Sequence, residues 1–213
     1  MRGSFRCLSF ERGSLEARLL AAGEGIMHRL YGERKRRLFG ALPGTVVELG
    51  AGTGANFRYY PPATRVLAVE PDTAKHPALT RHARRHALQL EIVAAGAETL
   101  PWADASVDLV VGTLVLCTVD DPAAVVGEIV RVLRPGGRFV FVEHVAASPA
   151  SGLRRLQDLL ERPWCRLFGG CRPNRETWRL LESAGFAQLQ LERFRIGWAL
   201  LPVRPHVAGV ALR

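Results

Sequence analysis

A glycine-rich turn directly after an apolar run most constrains how this chain can fold. The turn is Gly50-Ala51-Gly52-Thr53-Gly54, and it follows Thr45-Val46-Val47-Glu48-Leu49, a pattern typical of a buried strand. Glycine has no Cβ and tolerates positive φ, so the backbone can turn tightly and pass close to a ligand. With a helix opening at Ala55-Asn56-Phe57, the segment predicts a βα unit that cradles a nucleotide. Its G-x-G-x-G spacing differs from the G-x-G-x-x-G of dinucleotide sites.

A second apolar run, Arg65-Val66-Leu67-Ala68-Val69, ends in Glu70 and Pro71. The two oxygens of a carboxylate at the end of a strand suit the vicinal hydroxyls of a ribose. A helix-capping or solvated acid is the alternative. Because Glu70 lies one βα unit after the glycine turn, the sequence favours the ribose contact.

From Val46 onward, short apolar strands alternate with helical stretches, which is typical of a parallel sheet covered by helices on both faces. Residues 188–194 and 206–212 predict a closing antiparallel pair. We therefore expect an α/β fold: a single Rossmann-like, doubly wound sheet of about seven strands, mostly parallel with an antiparallel C-terminal strand. Residues 45–213 would form this domain, and residues 1–44 an N-terminal extension with an amphipathic helix.

The N-terminal extension combines apolar and basic residues. From the candidate N-cap Ser14, apolar residues recur at helical spacing: Leu15, Leu19, Ala22, Ile26 and Leu30. The basic cluster at residues 33–37 is expected to close this region. The helix could cover the ligand site as a lid or lie against a membrane surface, and the sequence leaves both open.

Charge and cysteine usage narrow the class of protein. The net charge is +9 and the sequence pI about 10.4, which would suit nucleic acid or an anionic membrane. The positive residues are mostly arginines scattered over helices, so nucleic acid is not the expected partner. The four cysteines, at positions 7, 117, 165 and 171, include no C-x-x-C pair, so no metal site is expected. No apolar segment reaches the roughly 18 residues that span a bilayer, so we expect a cytoplasmic protein with peripheral membrane contact as the alternative.

Three further segments follow in this order along the chain: Gly96-Ala97-Glu98-Thr99-Leu100-Pro101, Ser106-Val107-Asp108-Leu109-Val110-Val111 and Leu133-Arg134-Pro135-Gly136-Gly137-Arg138. With the glycine turn they resemble the motif series of class I S-adenosylmethionine-dependent methyltransferases. The resemblance implies S-adenosylmethionine as cofactor, with S-adenosylhomocysteine as product. It implies these binding residues: Glu48, Gly50, Ala51, Gly52, Gly54, Asn56, Glu70, Pro71, Ala97, Glu98, Thr113 and Leu114. Many relatives carry an Asp where Gly96 stands, so the adenine contact is expected from the backbone near Ala97 and from Glu98.

Glu143 and His144 end the fifth predicted strand, at the edge where the other ligand residues should converge. Imidazole titrates near neutral pH, so His144 is the candidate general base, and Glu143 would orient it or bind a water on the cofactor side. A histidine that only bonds structural backbone is the alternative. His206 is a weaker candidate, and Cys117, in an apolar run, is expected to be core.

The chain after the fifth strand sharpens the resemblance. It contains Gln157, Pro163-Trp164, Gly170-Cys171, Arg175-Glu176-Thr177-Trp178 and Leu201-Pro202-Val203-Arg204-Pro205-His206. Over residues 33–213 the chain resembles the methyltransferase-like seven family, the thiol S-methyltransferases of animal microsomes. This implies a small alkyl thiol as methyl acceptor, in an apolar pocket near Trp164, Phe168, Trp178, Tyr59 or Tyr60. Those aromatic residues could equally be core.

The start of the sequence departs from that family, whose members sit on membranes through an apolar N-terminal anchor. Here a basic amphipathic stretch stands in its place, so we expect a soluble or peripheral relative. Other acceptors stay open: a phospholipid, a quinone precursor or another small molecule. An RNA methyltransferase is disfavoured because no Asn-Pro-Pro-Tyr-type motif is present. A non-catalytic S-adenosylmethionine-binding protein is the last alternative.

Overall fold

The computed structural model describes residues 13–40, 42, 44–197 and 202–213, and it describes the side chains from residue 25 onward, except residue 26. The strands are β1 Thr45–Leu49, β2 Arg65–Val69, β3 Gln89–Val93, β4 Val107–Thr113, β5 Leu133–His144, β6 Gln188–Arg195 and β7 Pro205–Leu212. They form one sheet in the order β3-β2-β1-β4-β5-β7-β6. The predicted seven-stranded Rossmann-like sheet is confirmed.

Strand direction also follows the prediction. β1 pairs in parallel with β2 and with β4, and β3 and β5 extend the parallel sheet on either side. β7 runs antiparallel to both β5 and β6. The strand order therefore reverses between β1 and β4, which is the point where open α/β sheets bind their ligands.

Helices cover both faces of the sheet. They are α1 Gly13–Phe39, α2 His76–Arg85, α3 Pro122–Val132, α4 Gly152–Leu167 and α5 Thr177–Ser183. On one face Ile129 of α3 and Leu181 of α5 pack with Phe139 of β5, and on the other Phe39 of α1 and Leu79 of α2 pack with the sheet. Since the central strands are covered on both faces, they appear in the sequence as continuous apolar runs.

The helix predicted directly after the glycine turn is not an α-helix. Only a short 3₁₀ helix, Phe57–Tyr59, follows the turn, and no α-helix separates β1 from β2. Pro61 and Pro62 explain this, because proline lacks an N–H and disfavours helical backbone in the residue before it. β5 begins at Leu133. Leu133 already pairs with Val107, and a register shift in β4 accommodates the following glycine turn.

α1 continues through the basic cluster and ends at Phe39, two residues after it. Tyr31, Lys35 and Phe39 on its C-terminal half are buried. Arg34 forms an ion pair with Glu192 of β6, 3.2 Å away. This half of the helix therefore packs on the domain, although the predicted boundary at residue 44 falls between α1 and β1. The side chains of the apolar pattern from Leu15 to Ile26 lie outside the described residues.

None of the helices in the described ranges combines the length and the apolar character needed to cross a bilayer.

Candidate active site

Four parallel strands end at the same edge of the sheet and carry the predicted site residues there. Glu48 lies in β1 just before the glycine turn, and Glu70 directly follows β2. Thr113 ends β4 and His144 ends β5. The fold thus brings together residues that are up to 96 positions apart in the sequence.

The glycine turn leaves an open cradle. Gly50, Gly52 and Gly54 have φ values of 56°, 59° and 88°, in the left-handed region that favours glycine. A Cβ on Gly50 would stand 2.8 Å from the Val115 side chain, and one on Gly54 2.9 Å from the ring of Phe57. A Cβ on Gly52 would meet only a backbone oxygen, 3.9 Å away. The space above Gly52 is therefore open, and a side chain there would fill it.

Glu70 is fixed beside this cradle. Its Oε2 accepts a hydrogen bond from the Gly52 N–H at 2.8 Å, and its Oε1 accepts one from the Asp72 N–H at 3.0 Å. Lys75 Nζ lies 3.6 Å from Oε1. A carboxylate offers about four acceptor positions, so lone pairs remain for two further donors. The arrangement fits a ribose diol.

Glu48 is buried at the base of the site. Its carboxylate accepts hydrogen bonds from Asn56 Nδ2 at 3.0 Å and from the Tyr60 hydroxyl at 2.6 Å. Burial raises the pKa of Glu48 to about 7, opposed by these two hydrogen bonds and by the charge of Lys35. Burial in turn lowers the pKa of Lys35 to about 8. The pKa values of the Glu48 carboxyl and the Lys35 amine are therefore shifted toward each other, and the charges of the two groups interact.

Asn56 shows an unfilled hydrogen-bonding position. Its Nδ2 donates to Glu48 and also to Thr113 Oγ1, at 3.1 Å. Its Oδ1 is buried and accepts no hydrogen bond from any described residue. A buried acceptor without a donor is costly, so this oxygen fits a bound ligand that supplies an N–H. The ammonium at the methionine end of S-adenosylmethionine is such a donor.

The segment after β3 places Ala97 and Glu98 at the same edge. Ala97 is buried and Glu98 is partly exposed. A Cβ on Gly96 would stand 2.8 Å from Glu98 Oε2. The carboxylate of Glu98 therefore occupies the space next to the position where many relatives carry an Asp. Pro71 follows Glu70 directly and is exposed.

Glu143 does not orient His144. Adjacent residues of a strand point to opposite faces, and both Glu143 oxygens are used on the other face. They accept the backbone N–H groups of Val115 and Leu116, at 2.8 and 3.0 Å, and of Cys117, at 3.2 Å. Glu143 therefore holds the loop that follows β4, and its predicted role beside the histidine is corrected.

His144 lies in a cluster with two cysteines. Its Nε2 is 2.9 Å from Cys171 Sγ, which also accepts a hydrogen bond from Trp164 Nε1 at 3.3 Å. Hydrogen bonds from the Cys117 thiol, from His144 and from Trp164 lower the pKa of Cys171, while burial raises the pKa of Cys117. The cluster thus favours one thiolate, on Cys171. His144 Nδ1 is buried and has no partner in the described part of the chain.

His206 is structural in this arrangement. Its Nε2 is 2.7 Å from the Tyr31 hydroxyl, and its Nδ1 is 3.1 Å from the carbonyl oxygen of Arg204. Burial lowers the pKa of His206 to about 4. A neutral imidazole with both nitrogens engaged is poorly placed to take a proton. Its ring centroid lies 6.1 Å from that of His144.

A cavity of about 490 Å³ opens beside His206, where β5 ends and β7 begins. Its apolar wall includes Val145, Ala146 and Trp178, and three arginines also line it: Arg193, Arg195 and Arg204. The Nε of Arg204 is buried and unpaired within the described ranges.

The other predicted aromatic wall residues are dispersed. Trp164 stacks on Phe168 with ring centroids 4.1 Å apart, next to Cys171. Tyr60 bonds Glu48, and Tyr59 is hydrogen-bonded to His28. Of the predicted wall residues, Trp178 lines the cavity.

Comparison with known proteins shows the family of this chain. The methyltransferase domain family matches residues 47–141. Human thiol S-methyltransferase TMT1A is 40% identical over 201 residues, which cover 88% of this chain and 82% of the human protein. Human thiol S-methyltransferase TMT1B is 41% identical over 197 residues, which cover 87% of this chain and 81% of that protein. The chain belongs to the thiol S-methyltransferase family.

Solved structures agree on the fold. An S-adenosylmethionine-dependent methyltransferase from Thermotoga maritima has a TM-score of 0.65 at 21% identity and covers 92% of this chain and 97% of its own. Geranyl diphosphate C-methyltransferase from Streptomyces coelicolor, solved with S-adenosylhomocysteine, has a TM-score of 0.64 at 17% identity and covers 95% and 84%. This thiol S-methyltransferase family member is thus an S-adenosylmethionine-dependent methyltransferase with the class I fold.

Several site residues of this family member were not found from the sequence. Lys35 was assigned only to the basic cluster at residues 33–37, yet it is buried near Glu48. Cys171 and Cys117 were read separately because no spacing rule links them. One sequence pattern indicates that Lys35 is buried. Tyr31, Lys35 and Leu38 are spaced four and three residues apart, so they share one face of the helix.

Proposed function

We propose that this methyltransferase transfers the methyl group of S-adenosylmethionine to a small thiol. The observation that carries the proposal is the 40% identity to human thiol S-methyltransferase TMT1A over 88% of the chain. The aligned span is much longer than the cofactor-binding motifs, so the similarity extends to segments outside those motifs. The acceptor end of the domain is where substrate specificity in such folds is expected to lie.

The residues at the sheet edge are proposed to hold the cofactor. S-adenosylmethionine supplies, when bound, a methyl group already activated on a sulfonium sulfur. Glu70 would hold the ribose hydroxyls, and Glu48 with Asn56 the methionine ammonium. The open backbone around Gly52 would let the cofactor lie close to the turn. The backbone at Ala97, with Glu98, would contact the adenine, and Thr113 and Leu114 the reacting end.

His144 is proposed to take the proton of the acceptor thiol. The thiolate is the nucleophilic form, and a free thiol titrates near pH 8.5, so a base helps at neutral pH. Cys171 occupies Nε2, which leaves Nδ1 as the nitrogen without a partner among the described residues. In the transfer, a bond forms between the acceptor sulfur and the methyl carbon, and the bond from that carbon to the sulfonium breaks. Its electron pair stays on the sulfur of S-adenosylhomocysteine.

The cavity beside His206 is proposed to receive the acceptor. Its apolar wall suits the carbon part of a small thiol. Its three arginines, and the unpaired Nε of Arg204, favour an acceptor that also carries a negative group.

The direct test is a turnover assay with radiolabelled methyl donor and a panel of acceptors. The panel contains a neutral alkyl thiol, a mercaptocarboxylate, hydrogen sulfide, a phospholipid and bulk RNA. Methylated thiol should dominate, with the mercaptocarboxylate preferred over the neutral thiol. A protein that methylates only the phospholipid or the RNA would contradict the thiol assignment while leaving the methyltransferase class intact.

The His144→Gln variant tests the base. We expect kcat to fall by about 100-fold, within the usual range for removal of a general base, with the Kd for S-adenosylhomocysteine unchanged. His86→Gln, at the end of α2, is the matched control and should keep wild-type turnover. Equal kcat in the wild type and in His144→Gln from pH 6 to 9 would remove His144 from the mechanism.

A cytoplasmic location stays a proposal, with peripheral membrane contact through the basic face of α1 as its alternative. Co-sedimentation with anionic and with neutral vesicles separates the two. Binding to anionic vesicles that salt abolishes would favour membrane contact.

A further inference from the structure

Cys117, His144 and Cys171 bring three metal-binding side chains to one point. One ligand atom from each lies within 4.8 Å of the other two. Zinc binds thiolate at about 2.3 Å and imidazole at about 2.0 Å, so ligand atoms around a tetrahedral ion stand roughly 3.6 to 3.8 Å apart. His144 Nε2 and Cys171 Sγ, at 2.9 Å, are slightly closer than that. Small side-chain rotations would therefore admit one ion.

We propose that Cys117, His144 and Cys171 form a binding site for a thiophilic divalent cation, Zn²⁺, with three protein ligands and a fourth position left for water or a small ligand. Two thiolates and one imidazole are a donor set that zinc takes at sites with an open position. No sequence motif indicates this site, because His144 is 27 positions from each cysteine.

The backbone around both cysteines is fixed in advance. Glu143 holds the loop that carries Cys117 through three backbone N–H groups. The Arg172 N–H donates to the carbonyl oxygen of Cys117 at 2.8 Å, which ties the segment of Cys171 to that loop. Gly170 allows its segment to lie close to Thr118, because it has φ of 94° and a Cβ there would stand 3.0 Å from the carbonyl oxygen of Thr118. A site built on fixed backbone loses little entropy when the ion binds.

Groups around the ligands fit this role. Trp164 donates its Nε1–H to Cys171 Sγ at 3.3 Å, and Thr118 Oγ1 lies 3.5 Å from Cys117 Sγ. Such outer contacts orient metal ligands and tune their charge. His144 is buried, and its Nδ1 has no partner in the described ranges, so the cluster is not closed by the protein's own hydrogen bonds.

The charges nearby allow a cation. Zn²⁺ binds cysteines as thiolates, and the two thiolates of Cys117 and Cys171 balance the charge of the ion. Arg175 points a guanidinium to the Leu116 carbonyl at 2.7 Å, and the buried Glu143 carboxylate offsets it.

The proposed metal site shares His144 with the proposed thiol methylation. When Nε2 binds Zn²⁺, the neutral imidazole carries its proton on Nδ1, so Nδ1 cannot take the proton of the acceptor thiol and the base role of His144 belongs to the metal-free form. Saturation with Zn²⁺ should therefore inhibit turnover. Binding itself is measured without methyl donor or acceptor, so the two proposals can fail separately.

The test uses chelator-treated full-length protein, kept reduced, in a Cys7→Ser background, because Cys7 lies outside the described residues. Competition with a chromophoric chelator should show one Zn²⁺ bound per chain with submicromolar Kd. Co²⁺ in its place should give thiolate-to-metal charge-transfer absorption in the near ultraviolet, with the strong visible bands of a tetrahedral ion. Cys117→Ser and Cys171→Ser should each weaken Zn²⁺ binding by more than about 100-fold, and Trp164→Phe by about 10-fold.

Cys165→Ser is the matched control. Cys165 is a buried cysteine on α4 outside the cluster, and its replacement should leave Zn²⁺ binding unchanged. Circular dichroism melts confirm that each variant is folded. The proposal is overturned if folded wild-type protein binds no Zn²⁺ at micromolar concentration, if Co²⁺ gives no charge-transfer band, or if Cys165→Ser loses as much affinity as Cys171→Ser.

Discussion

Glu70 carries a prediction that follows from its geometry alone. Backbone N–H groups of Gly52 and Asp72 hold its two oxygens, which leaves the remaining lone pairs for the ribose. Glu70→Gln keeps the shape but removes the charge and half of the acceptor capacity. Hydrogen bonds to a charged group contribute about 1.5 to 3 kcal/mol, so we expect S-adenosylhomocysteine affinity to fall about 100-fold by calorimetry.

Glu91→Gln is the control for that variant. Glu91 is an exposed glutamate on β3 that forms an ion pair with Arg65 at the surface. It should bind S-adenosylhomocysteine as the wild type does. Wild-type affinity in Glu70→Gln would remove the ribose assignment.

Glu48 predicts a pH dependence of cofactor binding. Its pKa is raised to about 7, so it loses its proton between pH 6 and 7.5. Only the ionised carboxylate attracts the methionine ammonium, which remains mostly protonated over that range. Affinity for S-adenosylhomocysteine should therefore rise with pH across this window. Lys35, with its pKa lowered to about 8, stays largely charged there.

Calorimetry at several pH values checks this. Glu48→Gln should bind more weakly at pH 7.5 and lose most of the pH dependence. Lys35→Met should weaken S-adenosylhomocysteine binding less than Glu48→Gln does, because the charge of Lys35 acts only on Glu48, through space. A pH dependence that persists unchanged in Glu48→Gln would assign it to another group.

Among the elements, the loop after β4 depends on one side chain. Leu114 has φ of 58°, which is unfavourable for a non-glycine residue, and the next three backbone N–H groups all donate to Glu143. Glu143→Ala leaves buried donors without an acceptor. We expect a loss of about 3 kcal/mol in the free energy of unfolding, measured by urea denaturation, together with lower turnover.

Glu91→Ala serves as the comparison for that loss, since its side chain is 58% exposed and its ion pair is at the surface. It should cost less than about 1 kcal/mol. Equal losses in the two variants would mean that the loop does not rely on Glu143.

The elements show which parts of the fold a sequence can predict. The central strands were found because coverage on both faces makes them continuous apolar runs, as in Leu109-Val110-Val111. The start of α3 is also a local pattern: Asp121 stands directly before Pro122, and its side chain accepts the N–H groups of Ala123 and Ala124. The burial of Lys35 within the basic cluster of α1 was not predicted, because it depends on contacts far away in the sequence.

Across the whole molecule, some parts of the candidate site can be predicted from the sequence and others cannot. The glycine turn and Glu70 are local patterns, so their neighbourhood could be predicted. The roles of Glu143 and His144 could not, because the sheet sends their side chains to opposite faces, toward different partners. The cluster of His144 with two cysteines depends on three separate segments, and only the folded chain brings those segments together.

The whole molecule should respond to cofactor as one unit, because the proposed site draws on β1, β2, β4 and the buried face of α1. At a concentration of 100 times its Kd, S-adenosylhomocysteine should stabilise the folded protein by about 2.7 kcal/mol. For a domain of this size that corresponds to a rise in Tm of roughly 5 to 10 °C. Differential scanning calorimetry measures it, with adenosine alone as the weaker ligand. In Glu70→Gln, the same concentration of S-adenosylhomocysteine should produce a much smaller rise. If the variant and the wild type shift equally, the ligand binds elsewhere, and the assignment of this sheet edge to the cofactor is wrong.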